Sequence, residues 1–377
     1  MTSPRDDRPS AFLPAQPSRP PELLVPAWTD QDLREIHLLL TGDSVVDWHR
    51  LDVTTPEQVR RMLRVNSIDV DNADDLQRLR DLRARAAHYL TENLGIRLDE
   101  AITTTTPVIE LPLIASGRGR TQRQACTLLK VMHIMYHLDA RELRTLLPVP
   151  DHSLYELVEQ SIMMLFDELR ASGVPVVEFA WSRKTPDSLV TKLLVKRETS
   201  AARVFDRLRF RVVVERHDDV LPTLHVMLQR FVPFNYVVPG QTVNSLLDTS
   251  ASGKRKAEAQ AIEDDAREPA NEFSASDYAV LNFIADLPVR VDALLGETER
   301  GSGNVVFVLA EFQVMDRATA ITNENGDSSH AAYKNRQHQR VRERLLRGPR
   351  KAGPGAADSG EGEAERSGAT PIVDDKP

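Results

Sequence analysis

V-V-F-V-L-A-E-F-Q-V, residues 305–314, is the most informative run of the chain, and with N-E-N-G-D-S-S-H-A-A-Y-K, residues 323–334, it fixes how the rest is read. Six apolar residues in a row predict a buried strand, and that strand ends by delivering Glu311. A carboxylate charged against apolar neighbours is costly unless a cation or hydrogen-bond donors compensate it. Glu311 is therefore a candidate metal ligand or proton-transfer residue. Taken locally, it is equally an ordinary strand-end glutamate reaching water.

Working outward, 377 residues suffice for two modest domains, and 41% hydrophobic residues is normal for a globular chain. Residues 1–25 are rich in Pro, Ser and Asp, and residues 348–377 in Gly, Ala, Ser and Glu, so both are expected to be disordered. The N-terminal residues lack the apolar core of a signal peptide, and no apolar run approaches the length that spans a bilayer, which predicts a cytoplasmic protein with no membrane partner. The single cysteine, Cys126, excludes an internal disulfide and a multi-cysteine zinc site.

Residues 26–172 carry apolar positions at helical spacing, as in D-Q-D-L-R-E-I-H-L-L-L (30–40) and T-L-L-K-V-M-H-I-M-Y-H-L (127–138), and predict a helical domain. Ser153 and Glu156 have capping-box spacing for a helix through Leu169, stopped by Gly173 and Pro175. From residue 173 to 347 the period changes, and strands are expected at 174–181, 210–215, 278–287 and 305–314, interleaved with helices. The fold class is α+β, a helical domain followed by a mixed sheet. Residues 249–276 are small and charged and predict a mobile insertion.

The net charge of −8 argues against a general polyanion binder, but positive charge is concentrated between 181 and 216. There Lys or Arg stands at 183, 184, 192, 196, 197, 203, 207, 209, 211 and 216, against Asp or Glu at 187, 198, 206 and 215. Thr185 and Pro186 predict a helix N-terminus that puts Lys184 at its mouth and Ser188 and Lys192 a turn apart on one face. Free N–H donors and the positive dipole end suit a triphosphate there; a solvated amphipathic helix fits the same spacing. Next, D-R-L-R-F-R places Arg207, Arg209 and Arg211 at alternating strand positions, a face that demands anions or water. Asp206 and Arg211 serve one site only if Asp206 precedes the regular strand or a bulge intervenes. Asp206 and Glu311 together would suit a magnesium ion completed by substrate phosphates.

In this order the pieces resemble the synthetase domain of the RelA/SpoT family of guanosine tetraphosphate synthetases, which has a nucleotidyltransferase-like fold. The resemblance spans residues 174–346. Lys184, Ser188 and Lys192 match the family's Lys-x-x-x-Ser-x-x-x-Lys, and Asp206 with Arg211 its Asp followed five residues later by Arg. Glu311 and Gln313 match the Glu-x-Gln of its E-x-Q-I-R-T strand. Glu324, Gly326, His330, Ala332, Tyr333 and Lys334 match the following E-x-G-x-x-x-H-x-A-Y-K. The resemblance implies transfer of pyrophosphate, or a nucleotidyl group, from ATP to a nucleotide or RNA hydroxyl, as in stringent-response nucleotide metabolism. It implies magnesium on Asp206 and Glu311, with Glu311 also helping to deprotonate the acceptor. Nucleotide contacts would come from Arg183, Lys184, Ser188, Lys192 and Arg211 on the donor side and from Tyr278, Gln313, Glu324 and His330 beyond it. On the acceptor side the family's N-G-Y-x-S-x-H is met by D-Y-A-V-L-N, which keeps Tyr278 but has Asn282 where histidine stands, and Met315 and Asp316 replace Arg-Thr. The altered acceptor strand equally suits a non-catalytic nucleotide-binding or protein-interaction module, its helical half docking a partner or a second copy.

His133 and His137 are four apart on a predicted helix but lack an accompanying glutamate motif, and His217-Asp218 follows a strand without helical companions. Neither pair is expected to hold a metal.

Overall fold

Helical periodicity up to residue 171 becomes helix. α1 (Asp30–Thr41), α2 (Pro56–Val65), α3 (Ala73–Leu94), α4 (Leu111–Ala115), α5 (Arg120–Leu146) and α6 (Asp151–Ala171) follow in order. The computed structural model describes residues 11–14, 28–41, 48, 51–171, 173–196, 207–247, 278–295, 303–325 and 330–346. The stretches 249–276 and 348–377 and residues Asp206 and Gly326 therefore lie outside the described residues, while Ala11–Pro14, in the part expected to be disordered, forms a short strand, β1.

The capping box lies elsewhere than expected. α6 starts at Asp151, two residues before Ser153, whose N–H donates to the Pro150 carbonyl. A reciprocal box instead opens α2, where Thr55 accepts from the Gln58 N–H and the Gln58 side chain accepts from the Thr55 N–H. The inner stripe of α6 is buried at Leu154, Val158, Ile162 and Phe166. Beyond α6, Gly173 takes φ of 84°, a conformation that glycine adopts without steric penalty.

After Gly173 come β2 (Val176–Arg183), α7 (Pro186–Lys196), β3 (Leu208–Val214), α8 (Val220–Arg230), β4 (Val243–Asn244), β5 (Leu281–Arg290), β6 (Val305–Asp316), α9 (Arg317–Glu324) and α10 (His330–Leu346). The strands form one mixed sheet in the order β1-β2-β3-β6-β5-β4, with β3 and β6 parallel and the other neighbours antiparallel.

Alternation gives this sheet two unlike faces. One carries a row of phenylalanines across four strands, Phe179, Phe210, Phe312 and Phe283, with successive ring centroids 6.1, 5.3 and 5.2 Å apart. Phe166 of α6 stacks on Phe179 at 4.0 Å, which seats the helix on that face. Burying one such ring contributes roughly 1.5–3 kcal/mol. A single cluster of buried apolar side chains runs from Ile36 in α1 to Val314 in β6, so the helical and sheet parts share a core. The opposite face carries the polar residues.

Candidate functional site

Register assembles the polar face. Arg209 is opposite Glu311 and Arg211 opposite Gln313 in the parallel β3–β6 pair, while Asn282 of β5 is opposite Gln313. Side chains opposite one another share a face, so three adjacent strands bring Arg209, Arg211, Glu311, Gln313 and Asn282 together.

Glu311 lies in mid-strand, because β6 continues to Asp316; the expectation of a strand-end carboxylate is corrected. It is 4% exposed and compensated by three donors. Arg209 Nε donates to Oε2 at 2.9 Å, and Asn282 Nδ2 and Gln313 Nε2 donate to Oε1 at 2.8 and 3.1 Å. A carboxylate only accepts, so the Asn282 amide must turn its nitrogen to Glu311. That leaves Asn282 Oδ1 buried without a hydrogen-bond partner.

Arg211 lies between two further carboxylates. Its Nη2 donates to Glu324 at 2.7 Å, and its Nε is 3.4 Å from Glu178. Burial raises the Glu178 pKa, with Arg211 opposing the shift. Tyr278 sits just before β5 and packs against Val213, Val280, Met315 and Ala320. Burial raises its pKa, and the charges of Arg209, Glu311 and Arg211 all act on it. The residue after it is fixed by α9: Asn323 Oδ1 accepts from the Ala279 N–H at 3.1 Å and Asn323 Nδ2 donates to the Ala279 carbonyl at 2.6 Å. Asp316 holds α9 in turn by accepting from the Thr319 N–H at 2.9 Å.

The donor side is formed by α7. Thr185 Oγ1 accepts from the Ser188 N–H at 3.3 Å, as an N-cap does, and Pro186 is the first helical residue. The Lys184 N–H donates to the Arg207 carbonyl at 2.9 Å, which ties the mouth of α7 to the start of β3, two residues from Arg209. Ser188 and Lys192 lie within the first two turns. α10 packs on α7, and its Tyr333 acts electrostatically on Tyr278, so this helix links the two sides. His330 is the first residue of α10.

Arg183 is a correction. It lies on the phenylalanine side of β2, and its guanidinium grips Glu159 of α6 at 2.6 and 2.7 Å. Alternation from Phe179 through Trp181 puts it there, away from the polar face. Glu178 and Asn323, which the sequence reading did not single out, join this face, as does Arg209, which it placed on an anion-demanding strand face without a partner. Arg209 shares the alternation that singled out Arg211, and Glu178 interrupts an apolar run just as Glu311 does.

The described residues do not fit the expected magnesium. Glu311 already has an arginine and two amides on its oxygens, Asp206 lies outside the described residues, and no group of three His, Cys, Asp or Glu gathers among those described. His133 stacks on Tyr236 at 4.4 Å, His137 contacts Asp286 at 2.7 Å, and His217 lies 3.4 Å from Asp316.

A mixed sheet with one arginine- and carboxylate-bearing face, flanked by a capped lysine helix, is thus the class of site present. The chain is similar in structure to small alarmone synthetase 2 from Bacillus subtilis, at 16% identity and a TM-score of 0.28 over 51% of this chain and 92% of that one. Small alarmone synthetase 1 from Bacillus subtilis, bound to its product pppGpp, matches at 13% identity and 0.28 over 52% and 99%. A GTP pyrophosphokinase family protein from Streptococcus pneumoniae matches at 16% identity and 0.29 over 51% and 84%. No family model and no curated protein matches the chain. No helix among the described residues is long and apolar enough to cross a membrane.

Proposed function

We propose that the polar face binds a nucleotide polyphosphate and that the protein is a divergent RelA/SpoT-like synthetase, moving pyrophosphate from ATP to a hydroxyl of a nucleotide or RNA. The observation that carries this reading is the gathering of Arg209, Arg211, Gln313, Glu311 and Asn282 on three adjacent strands, beside the capped mouth of α7. Lys184, Ser188 and Lys192 would receive the donor phosphates, since the positive dipole end of a helix and lysines beside it favour anions. Tyr278 offers a ring for a base, an interaction of about 1–3 kcal/mol. The buried, unpartnered Oδ1 of Asn282 supports an acceptor that donates a hydrogen bond, such as a hydroxyl or a base N–H.

In the transfer the acceptor oxygen would bond to the β-phosphorus of ATP, the bond from that phosphorus to the α–β bridging oxygen would break, AMP would leave, and the hydroxyl proton would pass to water. The chain's part is to align the groups and neutralise phosphate charge.

Purified protein with β,γ-labelled ATP and a panel of nucleotides and tRNA should pass label to an acceptor, and Lys184→Ala should weaken ATP binding. Failure of every acceptor to take up label would sink the transfer. A second reading, a nucleotide-binding module without transfer, is favoured by the engagement of both Glu311 oxygens. Calorimetry separates them: ATP binding lost in Lys184→Ala, with no label moved, identifies the module.

A further inference from the structure

We propose that Arg209 takes the place of a divalent cation at Glu311, so that this carboxylate is neutralised within the chain and ligates no metal. The inference concerns the face assigned to the nucleotide but does not depend on transfer taking place there.

Three features of the geometry carry it. Glu311 is 4% exposed and has a donor on each oxygen, Arg209 on Oε2 and Asn282 and Gln313 on Oε1. The pairing is built into the sheet, because Arg209 and Glu311 are register partners in the parallel β3–β6 ladder and cannot separate without a change of rotamer or strand. The other carboxylates of the face, Glu178 and Glu324, are both engaged by Arg211, so no second described carboxylate stands ready to share an ion with Glu311.

Guanidinium stays charged at every pH at which proteins fold. A magnesium ion on Glu311 would sit about 2.0–2.1 Å from its oxygen, within a few ångströms of that fixed positive charge. The two cations compete for one carboxylate, and the arginine has the advantage of being covalently present. Arg209 is thus a positioning residue: it holds Glu311, which in turn orients the Asn282 amide and leaves its Oδ1 buried without a partner.

The test is thermal unfolding of the full chain in chelator, magnesium and manganese. The wild-type midpoint should be unmoved by either metal. Arg209→Met leaves a buried carboxylate without its cation; its midpoint should fall, and either metal should raise it again by several degrees, while Arg209→Met/Glu311→Gln should not respond. A metal-induced rise in the wild type that Glu311→Gln removes would overturn the proposal, as would an Arg209→Met protein indifferent to metal. Should Arg209→Met not fold, manganese titration followed by electron paramagnetic resonance on wild type and Glu311→Gln decides: equal binding supports the proposal, and a site lost in Glu311→Gln overturns it. Failure of label transfer from ATP would defeat the synthetase reading while leaving these measurements unaffected.

Discussion

Arg209 and Glu311 are unequally exposed, and the inequality predicts which half of the pair is costlier to remove. The Glu311 side chain is 5% exposed and that of Arg209 28%. Removing one partner of a buried ion pair costs about 3–5 kcal/mol when the survivor has no recourse to water. In Arg209→Met the survivor is the enclosed carboxylate, which keeps only the Asn282 and Gln313 amides. Those two donors place the expected loss at the lower end, about 3 kcal/mol. In Glu311→Gln the survivor is a guanidinium that reaches solvent. The new amide still has one misfit: its NH2 must face either Arg209 or the two side-chain amides, all of which donate. One unsatisfied donor against a partly solvated cation sets the loss at about 1–2 kcal/mol. The double mutant removes both charges, so its loss should fall short of the sum by about 1–2 kcal/mol. Urea unfolding at neutral pH reads all four proteins, provided the slope with denaturant is unchanged. Arg209→Met proving milder than Glu311→Gln, or losses that add, would refute the electrostatic account of the site.

Three further outcomes are expected. Burial lowers the pKa of His133 to about 4 from 6.5; the unfolded chain therefore takes up the proton first, and stability complete above pH 6.5 is lost as pH falls toward 4, by at most about 3 kcal/mol. The urea midpoint of wild type should drop more steeply over that window than that of His133→Phe, which keeps a ring against Tyr236 but cannot titrate; parallel curves would count against it. Arg183→Met, which breaks the grip on Glu159 away from the polar face, should lose about 1 kcal/mol yet bind ATP within about twofold of wild type, a change of only about 0.4 kcal/mol. Thr55→Ala should destabilise by about 1 kcal/mol through loss of the α2 capping box, read as a lower thermal midpoint with ATP affinity unchanged.

The four longer strands were legible as apolar, β-branched runs, with Gly and Pro just ahead of β2 and glycines just ahead of β6, whereas the short β1 and β4 were not, and Thr185-Pro186 marked the start of α7 for a local reason, the cap. Ser153 misled because its spacing to Glu156 fits a box, whereas Asp151, directly after Pro150, begins the helix first. Within the site, Glu311 stood out as a carboxylate in an apolar run and Arg211 as one of three alternating arginines, while Gln313 came only from the family resemblance. That Glu311 pairs with Arg209 was not, since the partnership follows from the parallel register of two strands about a hundred residues apart, which local periodicity does not encode. Arg183 shows the converse: its basic neighbours suggested a phosphate, but its parity on β2 sends it to Glu159.

The helical half has a part in this site that its sequence did not disclose. Polar joints fasten it to the sheet half, among them these: Asp32 accepts from Arg61 of α2 at 3.0 Å and lies 3.5 Å from His225 of α8; Asn66 and Asn235 exchange hydrogen bonds at 3.0 and 3.1 Å; Asp75 meets Arg290 at 2.6 Å and Asn304 at 3.2 Å. Each buried carboxylate here has several partners, so sliding the helices would strand a charge, which is dearer than losing apolar contact. So anchored, α5 rests on β6 at Phe307, with the His137 ring 4.8 Å away, and on β5 at Asp286. Phe307 and Glu311 share a face of β6, four residues apart, as Asp286 and Asn282 do on β5. α5 therefore walls one end of the polar face and α9, through Asn323, the other.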